Sequence, residues 1–157
     1  MRASRLARIL AAALTVAALT VGCDSSVPSQ SNVTQHEAEQ RVADRAQEAL
    51  QQLPSGASLK VTLNEPKLRC EDNGDRTFVE NQYAIEYPKG WPVQQAVPTL
   101  AGYWTGKGYK ILRDERDDPK LARFGVEYPD EFRISIEVIH RDNGRVDAYL
   151  ISSSPCI

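Results

Sequence analysis

The chain has 157 residues, of which 41% are hydrophobic and 25% are charged, a composition typical of one folded domain with its own core. Its 19 basic and 21 acidic residues give a net charge of −2, so the chain lacks the basic excess that nucleic-acid binding requires.

The N-terminus has the layout of a secretory signal, with three arginines, an apolar stretch and then a cysteine. The apolar stretch runs from Ile9 to Val21 and has thirteen residues, several of them Ala or Thr. A helix that crosses the hydrocarbon core needs about twenty apolar residues, so this stretch does not predict a permanent transmembrane anchor.

The run Leu19-Thr20-Val21-Gly22-Cys23 resembles the lipobox of bacterial lipoproteins. The resemblance implies that residues 1–22 are a signal peptide and that Cys23 carries the lipid, with palmitate among its acyl chains. It also implies a location on the outer, extracytoplasmic face of the cell membrane. Thr20 departs from the family pattern, where leucine is commonest. The alternative is an ordinary cleaved signal with a chance cysteine near the cut.

Loss of residues 1–22 would remove three arginines and no acidic residue, leaving 16 basic against 21 acidic residues and a net charge of −5. A domain with this negative charge has no favourable electrostatic interaction with anionic lipid or nucleic acid. We therefore expect the lipid on Cys23 to provide all of the membrane attachment.

The two remaining cysteines, Cys70 and Cys156, form an even pair in an oxidising compartment. We expect a structural disulfide between them. A reactive thiol pair or half of a metal site is the alternative, although neither cysteine lies in a CxxC motif.

Residues 23–33 are expected to comprise the lipidated cysteine and a flexible tether. The tether is predicted because the segment is rich in serine and has almost no apolar side chain to bury. Residues 34–157 are expected to form a single domain.

Thr34 and Glu37 form a capping box that opens a helix. Apolar residues then recur at steps of three and four, which predicts an amphipathic helix with this stripe: Ala38, Val42, Ala46, Ala49, Leu50 and Leu53.

Alternating apolar residues predict a half-buried strand over 59–63 and a second strand over 77–87. The parity of the apolar residues changes within the second strand, which favours a bulge near 80–81. Pro92 favours the start of a second helix, and Pro98 must kink that helix or mark its true start.

The clearest pattern lies near the C-terminus, where three alternating segments are separated by turn residues and follow a strand over 109–113. A three-residue loop with Gly144 in the left-handed conformation pairs Val138 with Ala148 and keeps the even-numbered apolar residues on one face. The predicted fold class is α+β, with a single antiparallel sheet, a C-terminal three-stranded meander, two helices on one face and one disulfide.

Candidate chemistry is sparse, and we expect no catalytic residue, no metal site and no cofactor. Nucleophilic catalysis needs a serine or cysteine held by a base, and the chain has only His36 and His140. The serines at 152–154 predict an exposed strand end. The acidic segments 71–75 and 114–118 lack the spacing of a calcium loop and predict solvated turns.

Five aromatic residues flank the second helix, and aromatic side chains can stack on sugars or anchor a protein partner. Trp104 continues the apolar stripe of that helix and predicts a core residue. Trp91 lies in a loop between two prolines, and we expect Trp91 and Tyr103 to be partner contacts at the surface.

The domain also resembles small actinobacterial lipoproteins, which share an N-terminal helix, a tryptophan-and-glycine helix end and a meander that closes in Ser-Pro-Cys. No activity follows from that resemblance. Our first hypothesis is a non-enzymatic binding or scaffolding lipoprotein whose partner is an envelope protein, a wall glycan or a small ligand. The alternative is an envelope hydrolase or accessory enzyme that uses His140 with a nearby acid.

Overall fold

The computed structural model describes residues 33–71 and 74–157, which form two helices and six strands. In chain order these are α1 (Gln35–Leu50), β1 (Ser58–Arg69), β2 (Thr77–Glu86), α2 (Ala96–Gly106), β3 (Lys110–Glu115), β4 (Leu121–Glu127), β5 (Arg133–His140) and β6 (Val146–Ser153). A single 3₁₀ turn, Val93–Gln95, leads into α2. The predicted signal peptide, Cys23 and most of the predicted tether lie outside the described residues.

The six strands form one antiparallel sheet in the order β1-β2-β6-β5-β4-β3. The predicted α+β class, single sheet and C-terminal meander are confirmed, and β3 extends the meander by one strand. Helix α1 packs mainly on β2 and β6, and α2 packs on β4 and β5. The core fills the space between this helix layer and one face of the sheet, and the other face is open.

The start of α1 is set by local hydrogen bonds. The Thr34 hydroxyl accepts from the Glu37 backbone N–H at 3.3 Å, and the Glu37 carboxylate accepts from the Thr34 backbone N–H at 2.9 Å. These bonds satisfy two backbone donors that the first helical turn leaves free. The predicted stripe then faces the sheet, with four alanine and valine side chains fully buried: Ala38, Val42, Ala46 and Ala49.

Neither Pro92 nor Pro98 marks the start of α2, because the 3₁₀ turn Val93–Gln95 follows Pro92 and Pro98 lies inside the first turn of the helix. Ala96 is the first helical residue, so Pro98 is the third, where a backbone N–H has no partner within the helix. The missing N–H of proline therefore costs no helical hydrogen bond at this position.

The bulge predicted near residues 80–81 of β2 is wrong. The side chains of β2 that point into the core are Val79, Tyr83 and Ile85, which keep a single parity, and Phe78 lies on the open face. The register shifts lie in the partner strand β1, between Val61 and Leu63 and again between Glu65 and Leu68.

The predicted register of the last hairpin is confirmed. Val138 pairs with Ala148 and Ile136 pairs with Leu150. Gly144 has φ 81°, and its N–H donates to the Arg141 carbonyl oxygen at 2.9 Å. A left-handed residue at this point lets the three-residue loop close without turning the apolar residues to solvent.

The disulfide between Cys70 and Cys156 is present and joins the β1–β2 loop to the chain end. Ile157 and Thr77 also exchange backbone hydrogen bonds of 2.8 and 3.1 Å. The serines at 152–154 are not an exposed strand end, because Ser152 is fully buried and Ser154 is 5% exposed. The Ser154 hydroxyl instead accepts from the Val79 N–H at 3.0 Å, which ties the chain end to β2.

The helix layer is narrower than the sheet. Two helices side by side are about 20 Å wide, whereas six strands span about 29 Å. The edge strands β1 and β3 therefore project beyond the helices. They carry every large apolar side chain that is exposed among the described residues: Val61 (55%), Leu63 (37%), Ile111 (50%) and Leu112 (44%). A half-buried strand was predicted over 59–63, and this prediction is wrong for Val61 and Leu63, which are exposed.

Candidate functional site

Two aromatic rings stack where the chain leaves the sheet and approaches α2. The ring centroids of Tyr87 and Trp91 are 4.5 Å apart and their planes are inclined by 20°. A tight turn makes this contact, since the Trp91 N–H donates to the Pro88 carbonyl oxygen at 3.1 Å and Gly90 has φ 88°. Glycine at position 90 allows the left-handed conformation that brings the indole back over the tyrosine ring.

A depression of about 350 Å³ lies beside this pair, between the 88–91 turn and the adjoining ends of β2 and β6. It combines aromatic and aliphatic walls with a charged rim made by Lys89 and Asp147. The remaining lining residues are Ala84, Ile85, Tyr87, Pro88, Gly90, Trp91, Val93, Val146, Ala148 and Tyr149.

Asp147 is held in place by two arginines. Its Oδ2 accepts from Arg145 Nη2 and from Arg141 Nε, each at 2.9 Å. These hydrogen bonds, with that from Arg145 contributing most, hold the pKa of Asp147 below its ordinary value. The carboxylate is therefore ionised at neutral pH, and both arginine contacts end on the same oxygen.

Tyr87 contributes a neutral hydroxyl. Burial raises the pKa of Tyr87 well above its ordinary value. The hydroxyl oxygen is buried and has no hydrogen-bond partner within residues 33–71 and 74–157. A buried hydroxyl without a hydrogen-bond partner lowers the stability of the fold.

Tyr103 lies elsewhere and does not share a surface with Trp91. Trp91 precedes α2, whereas Tyr103 lies in its last turn. The Tyr103 hydroxyl donates to the Glu48 carboxylate on α1 at 2.9 Å. Partial burial and this hydrogen bond raise the pKa of Tyr103 to about 12. Tyr103 thus links the two helices.

An arginine-centred cluster adjoins Tyr103. Arg45 donates to Asp130 at 2.9 Å and to Glu48 at 3.2 Å, and its guanidinium carbon lies 3.9 Å from the centroid of the Tyr128 ring. Asp130 belongs to the β4–β5 turn, so these contacts fasten α1 to the meander. Each charged side chain in the cluster has a partner on another element or one helical turn away, so the cluster stabilises the packing of α1 on the meander.

His140, the base of the alternative hypothesis, lines a separate depression of about 820 Å³ with Asp117 and Asp118. Its backbone N–H donates to the Lys120 carbonyl oxygen at 2.9 Å. Among the described residues, the imidazole has no ion pair with a carboxylate within 4.0 Å. Asp118 uses Oδ1 to accept from the N–H groups of Lys120 and Leu121, which caps the turn.

Within the part of the chain that the structure describes, no group of three or more His, Cys, Asp or Glu side chains is placed to hold a metal ion. None of the described helices is long and apolar enough to span a membrane. No family model, no curated protein and no solved structure matches this chain.

Sequence reasoning identified Trp91 but missed the residues that complete the depression, Lys89, Asp147 and Tyr149. Asp147 lies 56 positions beyond Trp91 in the chain, and the two come together because β6 pairs with β2. Nothing in the alternation of either strand indicates that pairing.

Proposed function

We propose that this chain is a lipid-anchored, extracytoplasmic binding protein without catalytic activity, and that its ligand is a small molecule with a sugar-like ring. The observation that carries the proposal is the concave depression beside Trp91. A concave site favours a small ligand, whereas a flat apolar patch would favour a protein partner. Its volume, about 350 Å³, is in the range of small-ligand sites.

The lining of the depression fits a sugar ring. A pyranose presents an apolar C–H face, which stacks on an aromatic ring, and a rim of hydroxyl groups, which needs polar partners. The stack on Tyr87 holds the Trp91 indole in place before a ligand arrives, so less conformational entropy is lost on binding. Asp147 Oδ1 and the Lys89 ammonium supply an acceptor and a donor at the rim.

The anchor rests on the lipobox-like run that ends at Cys23. About ten residues separate Cys23 from Thr34, where the described domain begins its first helix, so the domain would lie close to the membrane surface. An acyl chain contributes about 0.8 kcal/mol per buried methylene, and two or three chains suffice without help from the acidic domain.

Replacement of Cys23 by serine should release the protein from membranes. The hydroxyl is not a substrate for thioether lipidation, and the remaining chain has a net negative charge that does not favour anionic lipid. Fractionation of cells that express the full chain measures this directly. Retention of the Cys23→Ser protein in the membrane pellet would refute the anchor, and Ser31→Ala in the predicted tether, which leaves Cys23 and the disulfide intact, is the matched control that should stay in the pellet.

Trp91→Ala should weaken ligand binding by about tenfold, because the stacking surface is lost. The probe is the soluble disaccharide of N-acetylglucosamine and N-acetylmuramic acid, titrated into the full chain and followed by calorimetry. Tyr103→Phe is the control, since its hydroxyl bonds Glu48 away from the depression. Absence of binding to the unaltered protein, or equal affinity in Trp91→Ala, would contradict the proposal.

The hydrolase alternative has less support. His140 shares a depression with three aspartates, Asp114, Asp117 and Asp118, but a general base needs a hydrogen bond or a bridging water to a nucleophile. Asp118 is already engaged in capping the turn. The alternative stays a prediction from the sequence.

A further inference from the structure

The outer strand β3 offers an open edge to a partner. As the last strand of the sheet, it has one row of backbone N–H and C=O groups with no strand of residues 33–71 or 74–157 beside it. All six of its residues are exposed, and Ile111 and Leu112 are two of the four large apolar residues that are exposed in the described part of the chain. Helix α2 packs on β4 and β5 instead, so this edge projects from the domain.

The opposite edge, β1, is interrupted. Pro66 lacks the backbone N–H that a new ladder would need, and two register shifts bend the strand. Such features protect an edge from pairing, and β3 has only one register shift and no proline. The two edges of the sheet are therefore not equivalent, and β3 is the better template for an added strand.

The charges of β3 follow a definite order along the strand. The cations Lys110 and Arg113 precede the anions Asp114 and Glu115. Pairing two such strands antiparallel brings the cationic start of each against the anionic end of the other. This complementarity identifies a second copy of the chain as the partner that the edge fits.

The register of such a pair follows from the faces of β3. Lys110, Arg113 and Glu115 stand opposite alternate residues of β4, which places all three on the open face. The irregularity between Ile111 and Arg113 is what allows Lys110 and Glu115, five positions apart, to share that face.

In an antiparallel pair related by a two-fold axis, directly opposed residues must lie on the same face. Lys110 opposite Glu115 satisfies this condition, and it also places Ile111 opposite Asp114 on the other face. A register with Lys110 opposite Arg113 would place two positive charges against each other. A register with Asp114 opposite Asp114 of the other copy would do the same with two negative charges. Of these three registers, only the one with Lys110 opposite Glu115 agrees with both the faces and the charges.

We propose that β3 is a homodimer interface, in which two copies pair their β3 strands antiparallel with Lys110 of each copy opposite Glu115 of the other. The two six-stranded sheets then form one continuous sheet. The two symmetry-related Lys110–Glu115 pairs join the Lys110–Glu127 and Glu115–Arg123 ion pairs already present in each copy. Neither lipid attachment nor ligand binding is needed for this interface.

A charge exchange tests the register. Lys110→Glu opposes Glu115 with a like charge twice per dimer, and the Kd measured by sedimentation on the full chain in mild detergent should rise about tenfold. Glu115→Lys should have the same effect, and the combined exchange should restore the Kd to within about threefold of the unaltered value. A monomeric unaltered chain, or failure of the combined variant to recover, would overturn the proposal.

Val61→Lys, on the other edge, is the matched control for an exposed apolar residue. It should leave the Kd unchanged. Loss of the dimer in Val61→Lys would assign the interface to β1 and overturn the proposal.

Cysteine crosslinking in intact cells gives an independent test. The combined variant Lys110→Cys and Glu115→Cys should form a covalent dimer under mild oxidation, and neither single variant should do so. Within one copy the two positions are about 16 Å apart, beyond the reach of a disulfide, so the bridge must join two copies. An uncrosslinked double variant, or equal crosslinking of the single variants, would refute the register.

Discussion

Replacing Cys70 and Cys156 together by alanine should lower the free energy of unfolding by about 4–5 kcal/mol. The bridge joins positions 86 residues apart, so it closes a loop that contains most of the domain. In the chain-entropy account, a loop of this length strongly restricts the unfolded chain and thereby stabilises the folded one. Domains are commonly stable by only about 5–15 kcal/mol, so the loss is a large share of the total.

Urea unfolding followed by circular dichroism measures this loss. Adding a reductant to the unaltered protein should reproduce it, and reductant should have no further effect on the double variant. The hydrogen bonds between Thr77 and Ile157 remain in both cases, so the folded topology is expected to survive. Cys23→Ser is the control, and its urea midpoint should match that of the unaltered protein. A double variant as stable as the parent would show that the bridge does not constrain the unfolded chain.

Replacing Trp104 by alanine should cost about 3–5 kcal/mol of stability, because it leaves a large cavity between α2 and the sheet. The side chain is fully buried, and its ring lies 6.4 Å from that of Phe124, centroid to centroid. Trp104→Phe should cost much less, since Nε1 has no hydrogen-bond partner among the described residues and no such bond is lost.

Trp91→Ala is the matched control for this substitution. Trp91 is only partly buried, at the rim of the depression, so its removal should cost about 1 kcal/mol or less and leave the urea slope unchanged. Equal losses at the two tryptophans would contradict the assignment of Trp104 to the core and of Trp91 to the surface.

Several features of the fold were predicted from neighbouring residues. The capping box at Thr34, the alanine-rich stripe of α1 and the left-handed Gly144 each depend on contacts within a few positions of the chain. The pairing of Val138 with Ala148 follows from alternation and loop length alone. The disulfide was also predicted, because only two cysteines remain after Cys23 is assigned to the lipid.

The errors share a different cause. Val61 lies opposite the core residue Tyr83, yet it is exposed because β1 lies beyond the edge of the helix layer. Leu63 is exposed because the register shift after Val61 places it opposite Gln82, on the open face. The serines at 152–154 are polar, yet two of them are buried where the chain end returns to β2. Both outcomes depend on where a strand lies in the sheet, which no residue pattern within that strand records.

The start of α1, the left-handed turn at Gly144 and the register of the last hairpin were therefore decided by the amino-acid sequence alone, because the interactions responsible are local. The order β1-β2-β6-β5-β4-β3 was decided only by the tertiary structure, because it depends on pairings between distant segments. That order brings Asp147 beside Trp91 and leaves β3 at an open edge. The candidate binding site and the proposed dimer interface both depend on it.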